Sequence, residues 1–293
     1  MEFIKKDIDI THLSNYKTPA KARWYFEISW ESDIDRLREL ISWSREENIP
    51  VLWISWGTNM LFAFDIYEWI VIKNSLTWWT YDENTKILES YGSESIWDIA
   101  EKLEQDYQQN LWHRFIWLPG SVAWAIYGNA GCFGLETENN FISCKVLDLE
   151  KKKIIHLKKD DMNFEYRSSK LKTEKKYFLI SAKFDLSEKI EKYHSDVDNI
   201  DFRENKQPKW NSCGSFFKNP NKERSAGYLI EQVGLKWHRI GWAYFSEKHA
   251  NFLMHDGNGS YKDLLALIDL AIDLVQERFD IQLINEVQII TNI

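Results

Sequence analysis

The segment LPGSVAWAIYGNAGCFG, residues 118–134, constrains the possible folds more than any other part of the chain. It opens with a Pro-Gly turn and carries further glycines at 128, 131 and 134. Glycines at this spacing let the main chain approach a ligand closely and direct its N–H groups at an anion. The segment therefore predicts a backbone-lined phosphate site, although Trp124 places a large indole in its middle.

Size and charge narrow the class of protein. The 293 residues, 44% of them hydrophobic, suffice for a sizeable core and two or three lobes. A formal net charge of −8 disfavours nucleic acid and anionic membranes as partners. No sequence run reaches the roughly 18 apolar residues of a membrane helix, and the first residues lack the apolar region of a secretory signal. We expect a cytoplasmic protein that acts as a monomer.

The three cysteines, Cys132, Cys144 and Cys213, are odd in number and lack the spacing of metal ligands. We expect reduced thiols and no metal site.

Apolar periodicity predicts a mixture of helices and strands without regular alternation, hence an α+β class. Ser260 and Asp263 are interpreted as a capping box at the start of the last helix. The polar stretch 187–209 is interpreted as a boundary between lobes. The predicted helices cover 31–50, 93–107 and 260–279, and the predicted strands cover 51–55, 60–64, 69–74, 86–90, 141–149, 152–158, 176–186 and 281–290.

Several other segments carry candidate chemistry. SWGTNML at 55–61 is a strand followed by a tight polar turn. Arg167 in FEYRSS could hold a carboxylate by two hydrogen bonds, or form an ordinary surface salt bridge. Ser215 in NSCGSFFKNP could be reactive, or could simply cap the backbone. Glu286, among apolar neighbours, is expected to be partly buried and therefore paired or perturbed.

Taken in order, these segments resemble the motifs of the UDP-N-acetylenolpyruvoylglucosamine reductases. VLWISWGTNML is similar to the family's first FAD loop, a strand followed by G-x-G-S-N, and residues 118–134 are similar to its second, I-P-G-T-V-G-G-A-x-x-x-N-x-G-A-Y-G. YRSS, GSFFKNP and SEKHAN resemble Y-R-x-S, G-S-x-F-K-N-P and S-x-K-H-A-N. LINEVQII resembles the terminal L-x-P-E-V strand, with Asn285 where Pro is usual. The resemblance runs from about residue 17 to the end.

The resemblance implies an FAD-binding lobe of the vanillyl-alcohol-oxidase (PCMH) type and a C-terminal substrate lobe. It places the FAD-binding region at 1–186, with subdomains 1–75 and 76–186, and the substrate domain at 187–293. It implies FAD and NADPH as cofactors, and a nucleotide sugar, UDP-N-acetylglucosamine enolpyruvate, as the substrate reduced in peptidoglycan precursor synthesis.

The resemblance also assigns roles to residues. Ser215 is the general acid, Arg167 stabilises the enolate charge and Glu286 completes that network. Lys218, Asn219 and Gln232 are expected near the nucleotide sugar. The expected cofactor-binding residues are Ser55, Trp56, Gly57, Thr58, Asn59, Pro119, Gly120, Ser121, Val122, Gly128, Asn129 and Gly131.

Tryptophan is abnormally frequent and glycine abnormally rare. The chain has 15 Trp and 12 Gly, and Gly usually makes up about 7% of residues. Several tryptophans stand where the family pattern reads, or commonly reads, glycine. These positions are Trp56, Trp69, Trp78, Trp117, Trp124, Trp237 and Trp242, with Trp210 as a further candidate.

Three accounts of these tryptophans are open. The indoles could stack sugars in a non-catalytic glycan- or nucleotide-binding protein, which is the alternative function. They could be deliberate replacements. They could also mark UGA codons, which some genetic codes read as Gly and others as Trp. The decoding account, which we favour, predicts UGA and not UGG at positions such as 117, 124 and 242.

Overall fold

The computed structural model describes residues 1–187, 208, 211–221, 223–257 and 259–292. Apart from Ser187 and Pro208, the predicted boundary 187–209 lies outside the described residues, as does Trp210. The described helices are α1 (Asp33–Glu46), α2 (Ile96–Tyr107), α3 (Val122–Tyr127), α4 (Lys170–Glu174), α5 (Ala226–Gln232) and α6 (Tyr261–Phe279).

Sixteen strands lie within the described part of the chain. They are β1 (Lys5–Asp9), β2 (Lys21–Ile28), β3 (Val51–Ile54), β4 (Met60–Phe62), β5 (Ile66–Asn74), β6 (Trp79–Asp82), β7 (Ile87–Tyr91), β8 (Gly131–Cys132), β9 (Leu135–Glu136), β10 (Phe141–Asp148), β11 (Lys153–Lys158), β12 (Tyr177–Asp185), β13 (Arg239–Ile240), β14 (Ala243–Phe245), β15 (Leu253–His255) and β16 (Gln288–Ile290).

The chain packs as two compact units that alternate along the sequence. The first unit comprises Met1–Tyr25, Gly57–Val71 and Asp201–Ile293, and the second comprises Phe26–Trp56 and Ile72–Ile200. The division of the sequence into domains at 186/187 stays a prediction.

The second unit is built on a five-stranded antiparallel sheet of order β11-β10-β12-β7-β6. Its core buries the apolar faces of α2 and α3 together with β10 and β12, and includes Ile99, Leu103, Ile126 and Phe184. The short antiparallel pair β8–β9 follows α3. This packing fixes the segment 118–134, because α3 cannot move without exposing core residues.

The first unit has a separate core under α6. Leu264, Leu267, Ile268, Ala271 and Val275 are buried along one face of that helix, as the apolar stripe predicts. They pack with other buried residues of the unit, including Phe216, Phe245 and Leu283. Strands β13, β14 and β15 form an antiparallel sheet, and β16 pairs in parallel with β4.

The predicted helices and most predicted strands are confirmed, with two corrections. The prediction of a capping box is wrong for Asp263. Ser260 accepts a hydrogen bond from Lys262 N–H, but the Asp263 carboxylate accepts from Trp242 N–H, at 3.0 Å. The last strand covers only Gln288–Ile290, not 281–290, so Glu286 lies in a bend before it.

In the described part of the chain, no helix combines the length and apolar character needed to cross a membrane. All three cysteines are free thiols.

Candidate active site

The two segments predicted to bind FAD converge on one turn of the second unit, Gly92–Glu94. From the first segment, Trp56 Nε1 donates to the carbonyl oxygen of Ser93 at 2.8 Å, and the Ser55 and Ser93 hydroxyls lie 3.3 Å apart. No functional role was predicted for Ser93, the first residue of the predicted helix 93–107.

The second segment is held by the carbonyls on either side of Ser93. Val122 N–H donates to Glu94 O at 2.9 Å, and Ala123 N–H donates to Gly92 O at 2.7 Å. Ser121 caps α3, because its side chain accepts from Trp124 N–H. The Gly92–Glu94 turn therefore fixes both Trp56 and the start of α3.

The rest of the first segment, Gly57–Asn59, belongs to the first unit. Gly57 has φ +62°, and an added Cβ would lie 1.6 Å from the carbonyl oxygen of Leu13, so only glycine fits. No described residue accepts a hydrogen bond from the N–H groups of Gly57, Thr58 or Asn59. Gly57 and Thr58 are buried, so their N–H groups require an acceptor. Unpaired successive N–H groups suit an anion such as a phosphate.

Arg167 lies at the tip of a tight turn in the second unit. Glu165 and Ser168 exchange two N–H···O hydrogen bonds of 3.1 Å, with Tyr166 and Arg167 between them. Arg167 has φ +57°, a left-handed conformation that costs an L-residue roughly 1–2 kcal/mol. Its Nη2 donates to Gly131 O at 3.0 Å. Strain of this kind clusters at functional sites.

Gly131 allows that close approach. A Cβ at this position would lie 2.7 Å from Glu136 Cγ, 3.0 Å from Leu135 O and 3.4 Å from Arg167 Nη1. A side chain here would force these neighbours apart. Gly131 therefore lies in close contact with Arg167, and its role in binding FAD stays a prediction.

In the first unit, the segment that carries Ser215 lies beside Glu286. Glu286 N–H and Val287 N–H both donate to the carbonyl oxygen of Phe216, at 2.8 and 3.2 Å. Glu286 is half-buried, as predicted. Ser215 forms an antiparallel bridge with Phe252. The backbone places Ser215 one residue from the Glu286 contact, although 70 residues separate them in sequence.

Two asparagines hold this arrangement. Asn59 Nδ2 donates to Glu286 O at 3.0 Å. Asn251 exchanges two side-chain hydrogen bonds with the backbone of Phe217, at 2.9 and 2.8 Å. The sequence assigned no role to Asn251, and its only signal was its place in the segment SEKHAN. It fixes the residue two places after Ser215.

The residues expected near the substrate differ in their surroundings. Lys218 is half-buried, and its N–H donates to Ile284 O at 2.8 Å. Asn219 is exposed, and its side chain accepts from Ala226 N–H at 3.0 Å, at the start of α5. Gln232 is exposed, and its carbonyl accepts from Arg278. Substrate binding by these residues stays a prediction.

Comparison with known proteins decides the family. Residues 206–290 match the family model described as UDP-N-acetylenolpyruvoylglucosamine reductase, C-terminal domain. The chain is 34% identical over 256 residues to the UDP-N-acetylenolpyruvoylglucosamine reductase of Fervidobacterium nodosum, an alignment covering 86% of this chain and 81% of that protein. The chain belongs to the UDP-N-acetylenolpyruvoylglucosamine reductase family. It is also 33% identical to the enzyme of that name from Caldanaerobacter subterraneus, over 93% of this chain and 92% of that protein.

A solved structure confirms the fold expected for this reductase family. The UDP-N-acetylenolpyruvylglucosamine reductase (MurB) of Thermus caldophilus superposes with a TM-score of 0.76 at 22% identity, covering 99% of this chain and all of that one. The predicted α+β class, an FAD-binding lobe of the vanillyl-alcohol-oxidase type with a C-terminal lobe, is confirmed. The family is one of FAD-dependent oxidoreductases.

The described residues fit the FAD expected for this reductase family. The unpaired N–H groups of Gly57, Thr58 and Asn59 are donors suited to a pyrophosphate. Trp56 directly precedes these three residues in sequence. Its indole is 43% exposed and lies at the Gly92–Glu94 turn. Trp124 stacks on Tyr127 with ring centroids 5.1 Å apart. These two indoles add bulk to both predicted FAD segments.

Two of the seven tryptophans adopt backbone conformations that favour glycine. Trp117 has φ +65° and Trp237 has φ +68°. A bulky residue with positive φ is a conformational outlier. The side chain of Trp237 is also 60% exposed, and those of Trp78 and Trp242 are each 47% exposed. Trp112, by contrast, is 1% exposed and has φ −95°.

Proposed function

We propose that the protein reduces the enolpyruvyl group of UDP-N-acetylglucosamine enolpyruvate to the lactyl ether of UDP-N-acetylmuramate, with FAD and NADPH as cofactors. Membership of the reductase family supports the reaction. One observation links this reaction to particular residues. Arg167 Nη2 donates to Gly131 O, and this contact joins the second FAD segment to the candidate charge-stabilising arginine. Cytoplasmic location and a monomeric state stay predictions.

The chemistry that bound FAD would supply is hydride transfer, from the nicotinamide to the flavin and from the flavin to a vinyl carbon of the substrate. Gly57, Thr58 and Asn59 would bind its pyrophosphate through their N–H groups. The family resemblance assigns Ser121, Val122 and Gly131 of the second segment to the same cofactor. These residues bind and orient the cofactor and take no part in proton transfer.

Arg167 would stabilise the negative charge that hydride addition leaves on the substrate. Addition at one vinyl carbon places charge on the other carbon and, by conjugation, on the carboxylate, as an enolate. A guanidinium can donate two hydrogen bonds to that carboxylate. The family resemblance assigns Glu286 to the same charge, and within its own unit Glu286 is held by Asn59 and by the carbonyl of Phe216.

Ser215 would donate the proton that completes the lactyl ether. A serine hydroxyl is a weak acid, so the proton moves readily only when the developing carbanion lies within hydrogen-bond distance. The double hydrogen bond between Asn251 and Phe217 holds the backbone beside Ser215 in place for this role.

The half-reactions test this proposal. We define the glycine form as the full chain with Gly at positions 56, 69, 78, 117, 124, 237 and 242. Under anaerobic conditions, NADPH should bleach its flavin absorbance, and the enolpyruvyl substrate should restore it. UDP-N-acetylglucosamine, which lacks the vinyl group, should not. A flavin that is reduced but is not reoxidised by the enolpyruvyl substrate contradicts the proposal.

The exposed indoles favour one other candidate, a non-catalytic glycan-binding protein. The positive φ of Trp237 argues against it, because this backbone conformation suits a glycine better than a sugar-stacking indole. This candidate requires the chain with its tryptophans to bind UDP-N-acetylglucosamine while remaining colourless, and Trp237→Ala to abolish that binding in calorimetry.

A further inference from the structure

Asn129 has a side chain that is engaged inside the protein. It is fully buried. Its Oδ1 accepts from Glu138 N–H at 3.1 Å, and its Nδ2 donates to Glu165 O at 3.1 Å and to Glu138 Oε1 at 3.4 Å. Both amide hydrogens are therefore directed at protein acceptors. The side chain is placed to hold neighbouring segments together.

The Glu165 carbonyl belongs to the turn that presents Arg167. Other hydrogen bonds also anchor that turn. Ser169 Oγ donates to Tyr127 O at 2.9 Å, and Lys172 Nζ donates to Arg167 O at 2.8 Å. The Arg167 guanidinium reaches Gly131 O, two residues beyond Asn129. Asn129 thus holds the backbone of this turn, and Gly131 holds the guanidinium of its arginine.

We propose that Asn129 is a positioning residue for Arg167. Its Nδ2 fixes the carbonyl two residues before the arginine, while Gly131 fixes the guanidinium. The strained backbone of Arg167, φ +57°, persists only while its surroundings hold it. The second FAD segment and the arginine therefore move as one body. This inference rests on the proposed function of Arg167.

The proposal separates the two half-reactions. Arg167 addresses charge that appears only when the substrate is reduced. Loss of the Asn129 amide should therefore slow flavin reoxidation much more than flavin reduction. Displacement of a positioned group by about 1 Å can cost about 100-fold in rate. The expected loss is about 10- to 100-fold.

Two substitutions, made in the glycine form, test the side-chain amide of Asn129 separately from its backbone. Asn129 has φ +41°, so Asn129→Gly keeps the backbone conformation and removes the side chain. Asn129→Asp keeps the Oδ1 acceptor and loses the Nδ2 donor. Asn140→Ala is the matched control, because buried Asn140 donates from Nδ2 to the backbone carbonyl of Asp185 at 2.8 Å, which is not part of the Arg167 turn.

The first readout does not depend on catalysis. Amide hydrogen exchange of residues 165–169 should accelerate at least tenfold in Asn129→Gly and Asn129→Asp, and should not change in Asn140→Ala. Equal exchange in all three variants would show that Asn129 does not hold the turn. This measurement stays decisive even if the proposed reductase activity is absent.

The second readout is a double-mutant cycle with Arg167→Lys on the reoxidation rate. If Asn129 acts through Arg167, the double variant should be no slower than the slower single variant. If the double variant slows reoxidation by the product of the two single-variant factors, the proposal is wrong. Loss of flavin in Asn129→Gly, with equal damage to both half-reactions, would also overturn it and would make Asn129 a cofactor ligand.

Discussion

The indole of Trp56 donates a hydrogen bond from Nε1 to the backbone carbonyl oxygen of Ser93, at 2.8 Å. The carbonyls of Gly92 and Glu94, on either side, accept from the second FAD segment. An indole therefore lies at the turn that organises both predicted cofactor segments. Glycine at position 56 would remove that bulk and leave the turn intact.

Cofactor content should follow Trp56 and Trp124, in the FAD segments, and Trp117, directly before the second segment. We expect the chain with all its tryptophans to be nearly colourless after purification. Glycine at positions 56, 117 and 124 should raise bound flavin stepwise, because each replacement removes an indole from or beside these segments. The measurement is flavin absorbance per chain. A chain with Trp at all seven positions that already binds FAD stoichiometrically and melts cooperatively would refute this account.

Replacement of Trp117 or Trp237, which both have positive φ, by glycine should stabilise the folded protein. Relief of a left-handed backbone is worth roughly 1–2 kcal/mol, and the flexibility of glycine in the unfolded chain offsets part of it. Trp237→Gly should therefore raise the free energy of unfolding by about 1 kcal/mol, since its exposed indole loses little burial. Trp117→Gly should gain less, because its indole stacks on Trp97 with centroids 4.9 Å apart.

Trp112→Gly is the control for urea unfolding of these variants. Trp112 is buried and has negative φ, so its loss should cost about 3–5 kcal/mol. Destabilisation by Trp237→Gly of similar size would show that its indole is a native packing element.

Much of the fold followed from periodicity. Helices α1, α2 and α6 each extend over three or more turns, long enough for an apolar stripe to be visible. Helix α3 has six residues, and β13, β14 and β15 have two or three each, too short to show a period. These short elements carry or border the candidate site.

The last strand shows a different limit. Alternating apolar residues at 281–290 predicted ten paired residues, yet Leu283 and Val287 are buried in a segment without a regular ladder. Glu286 and Val287 both donate to one carbonyl, that of Phe216, and this shared acceptor interrupts strand pairing. The approach of Glu286 to the Ser215 segment depends on tertiary packing, so sequence pattern could suggest it only through the family resemblance.

Ser215→Ala should damage one half-reaction selectively. In the glycine form, flavin reduction by NADPH should be nearly unchanged. Reoxidation by the enolpyruvyl substrate should slow by about 100-fold or more, the usual contribution of a general acid. Ser212→Ala, in the same segment, is the control. Rapid-mixing absorbance measures both steps, and equal damage to both would remove Ser215 from proton donation.

Stability should fall in mild acid because of a buried histidine. Burial lowers the pKa of His255 below its ordinary 6.5. Above pH 6.5 the ring is neutral in both states and contributes nothing. Below it, the unfolded chain takes up a proton that the folded ring resists, so unfolding becomes easier. The urea midpoint should drop between pH 7.5 and 5.5, and less so in His255→Gln.

The control substitution is His12→Gln, at an exposed histidine. Burial also lowers the pKa of His249, so some pH dependence should survive in His255→Gln. Identical pH slopes for the parent and His255→Gln would contradict the assignment to His255.

Mass analysis of the product is the decisive test of the proposed reduction. The glycine form is incubated with NADPH and UDP-N-acetylglucosamine enolpyruvate, and the nucleotide sugar is examined by mass spectrometry while NADPH oxidation is followed by absorbance. The account predicts a nucleotide sugar heavier by two hydrogens, one per NADPH oxidised, and none from Ser215→Ala on the same time scale. A glycine form that contains flavin and oxidises NADPH but leaves the substrate mass unchanged would contradict it.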